Sequence, residues 1–276
     1  MTLGTSERPD LPLALVVGAG AMGMAVARRL GERHRLLLTD VDRNRLESRV
    51  AALREEGHDV QSFACDITDG EAVDRLAETA SALGPLRVLA HVAGLSPSTP
   101  DGHLIMRVNL LGASHVERAM RPLATRGTAA IFIASNAAYL MPPPSADILR
   151  VFDGALDGDF LDRLEKVAGP IDPMMAYHLS KTALVRMCRR QAPAWGQSGA
   201  RIVSLCPGFI ATPMGAESFE QNPIKHEMYK KTPLAREGTM LEIGDAVEFL
   251  ASERASFITG ADLLVDGGVS AAMEFS

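Results

Sequence analysis

Two side chains four residues apart, Tyr177 and Lys181 in Met174-Met175-Ala176-Tyr177-His178-Leu179-Ser180-Lys181, are of the right types for proton transfer. At that spacing on a helix they share one face, a turn apart. A phenol has a reference pKa of about 10 and is almost wholly protonated at neutral pH. A neighbouring ammonium favours the phenolate. Bringing the phenol to about 7 would take roughly 4 kcal/mol of differential stabilisation, which sets a general acid/base near its working pH. The same spacing also arises by chance, so the weight falls on what the chain upstream builds around the pair.

Upstream, the apolar run Leu13–Val17 leads straight into Gly18-Ala19-Gly20-Ala21-Met22-Gly23, and a helical pattern follows. Strand before and helix after is the context a dinucleotide fingerprint requires. Glycines there let the backbone approach a pyrophosphate at the positive end of the helix. The next apolar run ends at Asp40, about twenty residues on, where a carboxylate accepts from both ribose hydroxyls and repels a 2′-phosphate. NAD is therefore expected over NADP, although Arg43 and Arg45 stand close enough in sequence to reach a phosphate. Asp66 follows the third run and either caps the helix starting near Gly70 or contacts adenine. Ala93-Gly94 ends the fourth run, with room for a nucleoside against the backbone. Asn109 interrupts an amphipathic helix, an unfavourable place that calls for a partner.

Seven such apolar runs begin at Leu13, Arg35, Val60, Arg87, Ala129, Arg201 and Ala261, alternating with amphipathic segments. Near-continuous apolar strands between helices predict an α/β, doubly wound Rossmann-type fold, a seven-stranded parallel sheet flanked by helices. Ligands are then expected at the carboxyl ends of the strands. The chain has 276 residues, with 47% hydrophobic and 22% charged, which fits one globular domain from 13 to 276 after a flexible tail over 1–12. A net charge of -6 argues against a nucleic-acid or anionic-membrane surface. No apolar run is long enough for a membrane span. Cys65, Cys188 and Cys206 are odd in number and widely spaced, which fits a reducing cytoplasm and gives no metal cluster.

The ordered set of glycine-rich turn, Asp40, Asp66, Ala93-Gly94, Asn109, Ser135, Tyr177 with Lys181, Pro207-Gly208 and Val265-Asp266-Gly267-Gly268 resembles the short-chain dehydrogenase/reductase family from Leu13 to Gly268. That resemblance implies an NAD(P)-dependent oxidoreductase interconverting a secondary alcohol and a ketone. It implies that Tyr177 exchanges the proton, Lys181 lowers its pKa and holds the nicotinamide ribose, and Ser135 binds the substrate oxygen. Asn109 would support a water leading from Lys181 to solvent. Gly18, Gly20, Met22, Gly23, Asp40, Asp66, Ile67, Ala93 and Gly94 would hold the adenosine and pyrophosphate. Pro207, Gly208, Ile210 and Thr212 would meet the nicotinamide carboxamide. A homodimer or homotetramer is implied, through the helices carrying Asn109 and Tyr177. A non-catalytic NAD(H) sensor on the same fold is the alternative.

Three departures from the family pattern stand out. The glycine turn is one residue short and follows Val17 in place of a threonine. His91-Val92-Ala93-Gly94 stands for Asn-Asn-Ala-Gly, so His91 either replaces a side-chain tie between strands or is simply a structural residue. A segment of about 139–173 separates Ser135 from Tyr177, far longer than usual, with helical apolar spacing over Phe160–Val167. It reads as an insertion that is either an apolar substrate lid or a surface and interface element. With Met214, Phe219, Met228 and Tyr229 after Thr212, a lid would suit a bulky apolar substrate such as a steroid or terpenoid.

Overall fold

A computed structural model describes residues 11–212 and 223–275. Almost all of the expected N-terminal tail, together with Met214 and Phe219, lies outside the described residues. Seven strands form one sheet: β1 (Leu13–Val17), β2 (Arg35–Asp40), β3 (Val60–Ala64), β4 (Leu86–His91), β5 (Ala129–Ile133), β6 (Arg201–Pro207) and β7 (Asp262–Val265). Every pairing is parallel, in the order β3-β2-β1-β4-β5-β6-β7. The chain builds outward from β1, returns to the centre, and builds the other way from β4. The reversal between β1 and β4 opens a crevice at their carboxyl ends, where such folds bind ligands.

The doubly wound expectation is met, with strand ends displaced by a residue or two. Continuous apolar runs form the inner strands because both faces are covered, and every residue of β1, β5 and β6 is buried. Strand β7 is the exception. It lies at the sheet edge with Leu263 and Leu264 more than a third exposed, so its apolar run does not report burial.

The helices are α1 (Ala21–Gly31), α2 (Arg43–Glu55), α3 (Gly70–Leu83), α4 (Gly102–Met106), α5 (Ala113–Met120), α6 (Ala146–Asp153), α7 (Phe160–Ala168), α8 (Pro173–Gln197), α9 (Pro223–Lys230), α10 (Met240–Ala251) and α11 (Val269–Glu274). A π-helical turn, Arg107–Gly112, joins α4 to α5. Helices α3, α5 and α8 cover one face of the sheet, while α1, α2 and α10 cover the other. A third apolar cluster lies off the sheet: Val151, Phe152, Phe160 and Leu164 of α6 and α7 pack on Ile105, Met106, Leu110, Ala176, Leu179 and Ala183.

Most helix starts follow capping chemistry. The Asp42, Asp69 and Asp172 carboxylates accept backbone N–H bonds at the starts of α2, α3 and α8, and Thr239 with Glu242 forms a capping box on α10. The capping alternative for Asp66 is thereby corrected. Asp69 caps α3, and Asp66 accepts from the backbone N–H and hydroxyl of Thr68. Helix α1 departs from this rule: its N-cap is Gly20, with no side-chain cap and no acidic residue in its first turn.

Candidate active site

A cavity of about 1790 Å³ runs along the carboxyl ends of the strands. At one end it is lined by Gly18, Gly20, Met22, Gly23, Asp40, Asp66, Ile67, Ala93 and Gly94. Ser135, Tyr177 and Lys181 line its middle, and Pro207, Gly208, Ile210 and Thr212 line the side formed after β6. Every residue expected from the sequence therefore borders one space except Asn109, which is buried behind Gly94.

The three glycines of the first turn do different work. Gly18 has φ of 103°, and a Cβ there would lie 2.8 Å from the Ala93 nitrogen. A Cβ on Gly23 would fall 1.9 Å from the Gly18 carbonyl oxygen. These two glycines are demanded by the protein's own packing. A Cβ on Gly20 would meet nothing within 4 Å, so this glycine leaves space on the cavity side. With α1 uncapped, its first N–H groups and partial positive charge are available to an anion placed there. The turn thus keeps a cradle suited to a pyrophosphate.

Asp40 ends β2 with its side chain almost fully buried. One carboxylate oxygen accepts from the Ala19 N–H at 2.8 Å. The other accepts from the Asp42 N–H at 3.0 Å and the Arg45 guanidinium at 2.6 Å. Burial opposes its charge, but these three donors hold the carboxyl below its ordinary pKa. Asp40 therefore also orders the glycine turn. Arg45 is drawn to the cavity rim with Arg49 one turn further along α2, and sequence reasoning did not foresee the Ala19 tie.

Asn109 has the partners that its place in a helix called for. Its amide accepts from the Leu95 N–H at 2.7 Å and donates to the Leu95 carbonyl at 3.0 Å and the Ser180 hydroxyl at 3.2 Å. The π turn brings it to this position, where a Cβ on Gly94 would lie 3.2 Å from its Oδ1 and 3.3 Å from the Lys181 Nζ. Asn109 and Lys181 thus flank the backbone of Gly94. Ser180 is a member of this group that spacing alone did not single out.

The phenol of Tyr177 shows one clear departure from expectation. Burial raises its pKa and outweighs the Ser135 hydroxyl, which pulls it down. The expected lowering by Lys181 is not what this arrangement produces. The ammonium lies 5.8 Å from the Tyr177 ring centroid and donates to the Ile133 carbonyl at 3.1 Å. Burial lowers the pKa of Lys181 itself to about 8. Ser135 accepts from the Ala137 N–H at 3.1 Å, which fixes its oxygen at the start of a short turn beside the phenol. Cys206, at the end of β6, is buried with its thiol raised to about 11 by desolvation and holds no reactive thiolate.

The segment 139–173 enters the site through its first part. Tyr139, Leu140, Met141, Pro143, Pro144 and Leu149 line the cavity. Its two helices are held to the body by the apolar cluster, by Asp153 bonded to Arg186 at 2.7 Å and Arg190 at 2.6 Å, and by Glu165 bonded to His103 at 2.8 Å. His178, which sequence reasoning passed over, also borders the cavity and pairs its Nδ1 with the Ala137 carbonyl at 2.9 Å. All three cysteines are free and buried. Among the described residues there is no cluster of metal-ligating side chains and no helix long and apolar enough to cross a membrane.

Two family models match: one described as short chain dehydrogenase over residues 12–146, and one described as enoyl-(acyl carrier protein) reductase over residues 165–270. A galactitol 2-dehydrogenase (L-tagatose-forming) of Cereibacter sphaeroides is 31% identical, covering 97% of this chain and 98% of its own length. A short-chain dehydrogenase/reductase of Alternaria brassicicola is 30% identical over 93% of this chain and 95% of its own. Among solved structures, a dehydrogenase/reductase from Sinorhizobium meliloti 1021 superposes with a TM-score of 0.75 at 26% identity, with 94% of each chain covered.

Proposed function

The chain belongs to the short-chain dehydrogenase/reductase family, and from that premise we propose that it is an NAD-dependent enzyme interconverting a secondary alcohol and a ketone. One observation carries this reading: Ser135, Tyr177 and Lys181 border the same cavity as the open glycine turn and Asp40. A bound nicotinamide would supply or accept the hydride. Tyr177 takes the hydroxyl proton in the oxidation direction and returns it in reduction. Ser135 donates to the substrate oxygen and stabilises charge developing there. Lys181 is free to leave the Ile133 carbonyl for a ribose hydroxyl, and as an ammonium it then favours the phenolate.

Asp40 supports NAD over NADP, since its ionised carboxylate lines the cavity at the end of β2, where it would accept from a ribose hydroxyl and repel a 2′-phosphate. Gly18, Gly20, Met22 and Gly23 would hold the pyrophosphate, Asp66, Ile67, Ala93 and Gly94 the adenosine, and Pro207, Gly208, Ile210 and Thr212 the carboxamide. Leu140, Met141, Leu149 and Met174 on the opposite side support a bulky apolar substrate such as a steroid or terpenoid, with the segment 139–173 as its lid. We assign the protein to the cytoplasm and to a homo-oligomer, paired through whatever part of α5 and α8 the segment's helices leave open. The test is NADH formation from NAD across a panel of secondary alcohols, hydroxysteroids and terpenols. Tyr177→Phe should lose on the order of 10²–10⁴-fold in turnover while binding NADH as wild type does. A fully active Tyr177→Phe protein would overturn the mechanism.

A further inference from the structure

His91 is the most anomalous buried side chain near the site. It ends β4 with no solvent exposure, and neither ring nitrogen has a partner on another described residue. Desolvating an imidazole without a hydrogen bond is unfavourable, and so a histidine at such a place needs a reason. Its ring stacks on Phe132, with centroids 5.1 Å apart and planes 18° apart. Phe132 is its register partner on β5. The next residue of β5, Ile133, supplies the carbonyl that holds the Lys181 ammonium. The imidazole therefore lies one residue below the lysine anchor, on the face of the sheet that α8 covers. Of the two sequence alternatives for His91, the tie between strands survives only as ring stacking on Phe132, since neither ring nitrogen bonds to another described residue.

We propose that His91 is a positioning residue, which holds an internal water against the Lys181 ammonium and so keeps that ammonium charged beside Tyr177. The proposal rests on the reading of Tyr177 and Lys181 as the proton-transfer pair. Its physical logic is an acceptor supplied where burial works against charge. Lys181 is pushed down to about 8 by desolvation, so each acceptor given to the ammonium helps to preserve its charge. Burial, with a further contribution from the Lys181 charge, pushes the imidazole down to about 3. His91 thus stays neutral, with one nitrogen able to accept and the other to donate. A neutral imidazole can hold a water whose second lone pair accepts from the ammonium without adding a competing positive charge. The other titratable groups facing this cluster are Tyr177 on α8 and the Cys206 thiol on β6, with Arg189 and Asp266 acting on the latter. Asn109 and Ser135 complete it as neutral groups.

The test reads the lysine directly and needs no substrate. The lysines are few, Lys166, Lys181, Lys225, Lys230 and Lys231, so isotope-labelled lysine signals can be followed by NMR against pH, with Lys181→Met identifying its own. His91→Phe keeps the stacking ring but removes both nitrogens. It should lower the Lys181 pKa by about one unit or more, and His91→Asn should restore most of it. An unchanged Lys181 titration in His91→Phe would overturn the proposal. If that variant does not fold, the ring-nitrogen shifts of His91 in wild type decide. Two hydrogen-bonded nitrogens support the water, and two bare ones exclude it. Retained turnover in Tyr177→Phe would sink the acid/base reading separately, since the lysine titration is independent of turnover.

Discussion

The floor and the roof of the cavity are built on opposite principles. The floor consists of strand ends and tight turns whose geometry the protein's own contacts dictate: Gly18 against Ala93, Asp40 on Ala19, and Asn109 on Leu95. Its candidate site side chains Ser135, Lys181 and Asn109 are all buried. The roof consists of the first part of 139–173, and its cavity-lining residues Tyr139 and Met141 are 39% and 40% exposed. Under the proposed function, such a division would let the floor fix the chemistry while the more exposed roof determined what is admitted. Substitutions in the floor should therefore act on stability, cofactor affinity or kcat, and those in the roof on KM.

Acid titration offers a contrast in which one side chain acts over a defined pH window. His91 has a folded pKa of about 3, against about 6.5 in an unfolded chain. Between those values the unfolded state binds a proton that the native state does not, so stability falls as the pH is lowered through this window. Between pH 6.5 and 4.5 the loss from this one group is about 2–3 kcal/mol, at about 1.36 kcal/mol per unit. Urea unfolding at the two pH values measures it, and His91→Phe should remove most of the difference. The His103–Glu165 pair under the roof is solvent-exposed on both partners, and His103→Gln should leave the limb in place. Equal flattening by both variants would erase the distinction.

The glycine turn comes next. Gly18→Ala places a methyl group 2.8 Å from a backbone nitrogen at a positive φ, and should destabilise the fold by about 2–4 kcal/mol. Gly20→Ala meets no protein atom, so its melting temperature should stay near wild type while NADH affinity falls. Thermal melts and NADH fluorescence titrations separate the two. A Gly20→Ala protein that binds NADH normally would show that the cradle is not where the pyrophosphate rests.

Much of the floor was legible in the sequence because its requirements are local. Apolar runs of strand length, a glycine turn between strand and helix, and residues at strand ends each carry their own signal. All of Gly18, Asp40, Asp66, Ser135, Tyr177 and Lys181 reach one cavity as expected. What escaped depends on contacts made across long sequence distances. The phenol of Tyr177 is raised and not lowered because burial, built by distant parts of the chain, outweighs the Ser135 hydroxyl, while the Lys181 ammonium is engaged by the Ile133 carbonyl. The unpartnered nitrogens of His91 are invisible in a sequence that shows only a polar residue at a strand end.

The cavity lining of the roof gives the smallest effect, and the most informative one for the substrate. Leu149 projects from α6 into the cavity, while Phe152 on the same helix is buried in the off-sheet cluster. Truncating each separates lining from support. Leu149→Ala removes apolar surface that a bound substrate would cover, a loss of about 1 kcal/mol or slightly more. KM should then rise severalfold for a bulky apolar alcohol and hardly at all for a small one, with kcat little changed. Phe152→Ala instead leaves a hole between α6, α7 and α8 and should lower stability by about 3–5 kcal/mol. If Leu149→Ala raises KM equally for large and small alcohols, the segment is a wall of the cavity without being a selector. If it changes neither, the apolar substrate must be held elsewhere, on the side formed by Phe209, Met228 and Leu264.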